Sequence, residues 1–205
     1  MTKSADEAES ARHRAKMVKR KAVQDAEVAE KKIEKGLLIV HTGTGKGKST
    51  AAFGLALRML GRGKRVGVVQ FIKGAWHSAE RDALARFGDQ VSWHTMGEGF
   101  TWETQDLKRD IAAAQGAWAK ALELIADPTF ALVILDELNI ALRYDYLDLA
   151  AVVAALSARR EGLHVVVTGR NAKPELTAAA DLVTEMTLVK HHFAAGVKAQ
   201  PGIEY

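Results

Sequence analysis

The sequence predicts an α/β fold, a mainly parallel sheet of about six strands flanked by helices, with a helical arm at its N-terminus. Three observations predict it. From residue 36 onward, short apolar runs alternate with helical stretches in a β-loop-α order. The run Leu132-Val133-Ile134-Leu135 is apolar without interruption, as a strand covered on both faces requires. The first run leads directly into a turn rich in glycine and lysine, which in turn opens an alanine-rich helical stretch.

The arm, residues 1–35, contains neither proline nor glycine and is a helix candidate. Ser4 and Glu7 have the spacing of a capping box. Ala8, Ala11, Ala15, Val18 and Ala22, then Ala26, Ala29 and Ile33, form a thin stripe of small apolar residues that buries little area. A solvated extension, or an arm that packs on a partner subunit or closes over a site, both fit such a stripe. The domain proper, residues 36–205, has strand candidates at 37–40, 66–72, 91–94, 132–135, 165–168 and 182–188. Helical patterns fall at 49–60, 78–87, 104–126, 146–159 and 175–180. The apolar C-terminal segment 198–205 is expected to pack against the domain.

Composition narrows the function. The chain has 205 residues, 48% of them hydrophobic, enough for one core. No apolar run approaches the roughly 18 residues that span a bilayer, and the charged N-terminus does not resemble a secretory signal, so a cytoplasmic location is expected. Zero cysteines exclude disulfides, thiolate metal sites and thiol catalysis. The arm carries ten Lys/Arg against seven Asp/Glu, or +3 of the total +4, which leaves +1 on the domain. Nucleic acid is therefore not expected as a partner.

Residues 41–50 read His-Thr-Gly-Thr-Gly-Lys-Gly-Lys-Ser-Thr. A strand delivering a glycine-rich turn to a helix start points backbone N–H groups at phosphate oxygens and adds the positive end of the helix dipole. Thr42, Gly43, Thr44, Gly45, Lys46, Gly47, Lys48, Ser49 and Thr50 are the candidate nucleotide contacts. Lys48 would neutralise phosphate charge, and the Ser49 hydroxyl would hold Mg²⁺. The spacing departs from G-x-x-x-x-G-K-[ST], because Thr42 stands at the first position and the extra glycines are Gly43 and Gly45. Ligands of such sheets sit beyond the carboxyl ends of the strands. Asp136 and Glu137 follow the fourth run there as candidate Mg²⁺ ligands, in preference to a mere helix-capping turn. After the fifth run, Arg170 fits either a place near the phosphates or a second substrate, or an exposed salt bridge. Phe100 and Trp102, in a glycine-containing loop after the third run, would either fill the core or wall a large flat ligand.

Together these stretches resemble the P-loop corrinoid adenosyltransferases, which have a recombinase-like P-loop NTPase fold. The likeness runs from Gly36 to Tyr205. It rests on the loop from Thr42, Val-Gly-Val-Val-Gln-Phe-Ile-Lys-Gly from Val66, Gly-Phe-Thr-Trp-Glu-Thr-Gln from Gly99, Leu-Asp-Glu-Leu from Leu135, Val-Thr-Gly-Arg from Val167 and the tail from Gly196. The family often has Asn where this chain has Thr44 and Thr where it has Ser49. The resemblance implies transfer of the 5′-deoxyadenosyl group of ATP to the Co(I) of a reduced corrinoid, with triphosphate released and ATP lying reversed in the loop. It also implies Ser49 and Glu137 as Mg²⁺ ligands, Arg58 as a nucleotide contact, and Arg170, Phe100 and Trp102 toward the corrinoid, the two rings on its lower face. A homodimer and an electron donor such as a reduced flavoprotein are implied as partners. Two other functions share the loop: an ATPase acting on nucleic acid, disfavoured by the near-neutral domain, and a small-molecule kinase, disfavoured by the lack of an arginine-rich lid. His191 and His192 are assigned to a C-terminal loop rather than to a metal.

Overall fold

The computed structural model describes residues 3–72, 78–96 and 106–204. They divide into two units, Met1–Glu34 and Lys35–Tyr205. In the first, one helix, α1 (Lys3–Ala29), takes up most of the length. It begins at Lys3, and the side chain of Ser4, the expected cap, lies outside those described. Every described side chain from Asp6 to Glu34 is exposed, Val23 by 69% and Ile33 by 87%. The alanine stripe thus gains nothing from packing within this unit.

The second unit follows the order β1 (Leu38–Thr42), α2 (Lys48–Leu60), β2 (Arg65–Gln70), α3 (Ala79–Ala85), β3 (Val91–Thr95), α4 (Leu107–Ala126), β4 (Phe130–Asp136), α5 (Leu138–Arg143), α6 (Leu149–Ser157), β5 (His164–Thr168), α7 (Pro174–Ala179) and β6 (Leu182–Glu185). The six strands form one all-parallel sheet in the order β3-β2-β4-β5-β1-β6. Alternate residues of the central strands serve two cores. Val40, Val133, Leu135 and Val167 pack with residues of α4 to α7 on one face. Ile39, Val68, Ile134 and Val166 pack with Ala52, Phe53 and Ala56 of α2 on the other. This double coverage is why those strands read as unbroken apolar runs. Gly67 lets α4 approach closely, since a Cβ there would stand 2.9 Å from Leu124 Cδ1.

Several boundaries differ from the sequence reading for local reasons. α4 starts at Leu107 because the Asp106 side chain accepts from the N–H groups of Lys108 and Arg109. α6 starts at Leu149 because Asp148 accepts from those of Ala150 and Ala151. The second strand stops at Gln70, although Phe71 beyond it is buried. Helix α5 was not foreseen in the sequence. β6 corrects the expectation of a seven-residue strand: it has four residues, all exposed, at the sheet edge. The C-terminal segment 198–205 is held to the domain by charge rather than by apolar packing: Ile203 is 80% exposed, and Glu204 pairs with Lys46.

Placing β5 between β4 and β1 brings three strand tips together at the carboxyl edge: Asp136 of β4, Thr168 of β5 and Thr42 of β1. The phosphate loop and the Asp136-Glu137 pair, about 90 residues apart in sequence, therefore face one region.

Candidate active site

The loop between β1 and α2 is shaped by its glycines. Gly43 and Gly47 have φ of 96° and 105°, a region that side chains disfavour. A Cβ on Gly43 or Gly45 would lie 2.4 or 2.7 Å from the Met186 carbonyl oxygen. The extra glycines that set this loop apart thus admit the chain just past β6, where Met186 N–H donates to Thr42 O (2.9 Å) and Gly45 N–H donates to Met186 O (2.6 Å). Gly47 precedes α2 without a side-chain cap, so the first-turn amides of that helix keep their positive end toward the loop.

Lys48 is buried, and its ammonium donates to Gly45 O at 2.6 Å. Burial pushes its pKa down; Glu137 opposes that, and Arg170 and Lys46 add to it. Lys46, Lys48, Arg170 and Glu137 therefore share one electrostatic neighbourhood. Ser49 is half-buried, and Thr44 and Thr50 are exposed. The Thr42 hydroxyl is committed to structure, accepting from Ala172 N–H at 3.1 Å. Arg58 is not brought to the loop: it lies on the last turn of α2, ten residues and about 15 Å along the axis from Lys48. Phe100 and Trp102 lie outside the described residues.

The two carboxylates differ in role. Asp136 is buried and fully engaged, accepting from Gln70 Nε2 at 3.1 Å and from the Thr168 hydroxyl at 2.7 Å. Gln70 is fixed in turn by Thr95 (3.0 Å) and Trp93 (3.2 Å), both donating to its Oε1. Glu137 has φ 61°, and its N–H donates to Thr168 Oγ1 at 3.0 Å. It precedes α5 without capping it, which disposes of the capping-turn reading. Its carboxylate carries no hydrogen bond among the described residues and lies over Gly169, where a Cβ would stand 3.0 Å from Oε2. Burial, then Asp136, pushes its pKa up to about 7, against the pull of Lys48 and Arg170. A carboxylate with its charge so incompletely compensated, beside a hydroxyl-bearing loop, is a donor set that suits a hard divalent cation.

Sequence reasoning missed Gln70 and Thr168, which set Asp136, and Glu204. Gln70 and Thr168 stand in the stretches quoted from Val66 and Val167, but nothing local in the sequence ties them to Asp136. Lys46 forms an ion pair with Glu204, whose other oxygen lies 2.9 Å from His192 Nε2. The rings of His191 and His192 stack at 4.8 Å, and His191 Nδ1 accepts from Phe193 N–H at 3.1 Å.

Residues 34–205 match the family model described as ATP:corrinoid adenosyltransferase BtuR/CobO/CobP, and residues 1–28 match one described as the N-terminal part of cob(I)alamin adenosyltransferase. A corrinoid adenosyltransferase of Pseudomonas aeruginosa is 57% identical over 194 residues, covering 95% of this chain and 96% of the relative. One from a Sinorhizobium species is 55% identical, covering 97% and 94%. Corrinoid adenosyltransferase CobA of Salmonella typhimurium is 50% identical, covering 88% and 91%. The chain belongs to the ATP:corrinoid adenosyltransferase family.

Proposed function

We infer that this chain transfers the 5′-deoxyadenosyl group of ATP to the Co(I) centre of a corrinoid and releases triphosphate, in adenosylcobalamin biosynthesis or salvage. The observation that carries this reading is the cation-lined phosphate loop facing an under-compensated carboxylate in a chain of this family. The reaction needs no enzymic nucleophile. The electron pair on Co(I) attacks C5′, the Co–C bond forms as the C5′–O bond breaks, and the bonding pair departs on the triphosphate. What remains for the protein is to hold C5′ in line with cobalt and to stabilise charge on the leaving group.

Lys48, the loop amides and the start of α2 suit the terminal phosphates, with Lys46 and Arg170 adding charge from the solvent side. ATP then lies with its triphosphate in the loop and C5′ outward. Ser49 and Glu137 are the side chains to hold Mg²⁺, while Asp136, already fixed by Gln70 and Thr168, acts at one remove. When bound there, Mg²⁺ would neutralise part of the triphosphate charge. Phe100 and Trp102 are assigned to the lower face of the corrin, where they exclude an axial ligand and ease reduction of Co(II). A homodimer in the cytoplasm, supplied with electrons by a reduced flavoprotein, completes the reading; among the described residues no helix is long and apolar enough to cross a membrane.

Lys48→Ala tests the loop. The variant should keep the wild-type circular dichroism spectrum and lose adenosyl transfer by about a hundredfold or more, as for removal of one transition-state donor. An unchanged rate at saturating MgATP would remove the loop from the mechanism.

A further inference from the structure

The far end of the chain holds the outer lysine of the phosphate loop. Lys46 Nζ pairs with Glu204 Oε2, and His192 Nε2 lies 2.9 Å from Glu204 Oε1. The Glu204 side chain retains 14% exposure, on a tail whose neighbouring Ile203 is 80% exposed. Charge and hydrogen bonding, rather than apolar packing, therefore fix this carboxylate where it is. The pair also holds the Glu204 carboxyl below the ordinary range, the hydrogen bond from Lys46 being the largest cause.

The adenosyl-transfer chemistry gives such a carboxylate a task. When a P-loop enzyme cleaves between phosphates, its product leaves in pieces, each with fewer contacts than the substrate. Here the broken bond is C5′–O, on the adenosine side of the triphosphate. The whole polyphosphate stays in the loop with every lysine and amide contact intact, and it gains the charge of the departing bond pair. Product release is then opposed by the same contacts that bound ATP. A tethered anion next to the loop is present at high effective concentration and competes for those contacts without leaving the molecule.

We propose that Glu204 is an intramolecular competitor for the triphosphate, pairing with Lys46, yielding it when ATP binds and recapturing it to release tripolyphosphate after transfer. The proposal rests on Lys46 being a phosphate contact, as inferred above.

The test uses the full chain and tripolyphosphate as probe. Glu204→Gln removes the charge and keeps the shape; it should bind tripolyphosphate more tightly by about threefold or more, the size of one accessible ion pair. Single-turnover transfer with prepared Co(I) corrinoid should be unchanged, whereas the steady-state rate should fall as release becomes limiting. Glu204→Asp should restore part of the wild-type behaviour. In a Lys46→Ala background, Glu204→Gln should have no further effect on tripolyphosphate affinity. Affinity that is unchanged or weaker in Glu204→Gln, with Lys46→Ala still impairing binding, overturns the competitor role and leaves the phosphate contact standing. Lys46→Ala without effect on tripolyphosphate overturns that contact, and the competitor role with it.

Discussion

Glu137 sets stability against the Mg²⁺-holding role proposed for it. Folding moves its carboxyl from an ordinary 4.5 to about 7, mainly through burial and then through Asp136. Between those values the folded state binds a proton that the unfolded chain has released. Stability of the metal-free protein therefore falls as pH rises from about 4.5 to about 7, and the whole penalty is present above 7. Glu137→Gln relieves it. The variant should melt higher than wild type at pH 8 and about equally at pH 4.5, while its Mg²⁺-dependent nucleotide affinity drops. The same melting shift at both pH values would show that the ionised carboxylate is not under strain. Asp136, one residue away, has both oxygens engaged by donors, Gln70 Nε2 and the Thr168 hydroxyl.

At the scale of elements, the phosphate loop and helix α2 use glycine in opposite ways. Gly45 lies against the backbone of the segment after β6, where a Cβ would stand 2.7 Å from both the Met186 and Thr187 oxygens. Gly54, inside α2, has nothing within 4 Å of the same position. Gly45→Ala should displace the loop, lowering both melting temperature and MgATP affinity. Gly54→Ala should stabilise the helix by about 0.5–1 kcal/mol, since it only restricts the unfolded chain and improves helix propensity. Denaturant titration of the two variants separates the cases, and a loss of stability in Gly54→Ala would contradict this account of α2. The loop, α2 and the Asp136-Glu137 pair were legible in the sequence because each is a local pattern of a few residues. The support beneath them was not. Gln70 and Thr168 reach Asp136 only because β4 lies between β2 and β5, a pairing that no local spacing encodes. β6 was read too long because the strand ends at Glu185 where Met186 O accepts from Gly45 N–H of the phosphate loop, a contact that no local spacing encodes, and the Lys46–Glu204 pair closes over 158 positions.

For the whole molecule, the arm and the domain are distinct in composition as well as in structure. Most of the chain's net charge lies on residues 1–35, which hold ten Lys/Arg and seven Asp/Glu, and the exposed stripe of α1 is too thin to stabilise a helix by itself. Of the two readings such an arm admits, a solvated extension and a segment that closes over a site, deletion tells them apart. Deleting residues 1–33 should leave a folded domain with MgATP affinity nearly unchanged and corrinoid affinity reduced. Equal corrinoid affinity in the truncated chain would return the arm to a solvated extension. The central claim, that the loop presents C5′ rather than a phosphorus atom to the nucleophile, is tested most directly by product analysis. Purified enzyme incubated with MgATP and chemically reduced Co(I) corrinoid should yield one tripolyphosphate for each Co–C bond formed; ADP with phosphate, or AMP with diphosphate, in that proportion would contradict it.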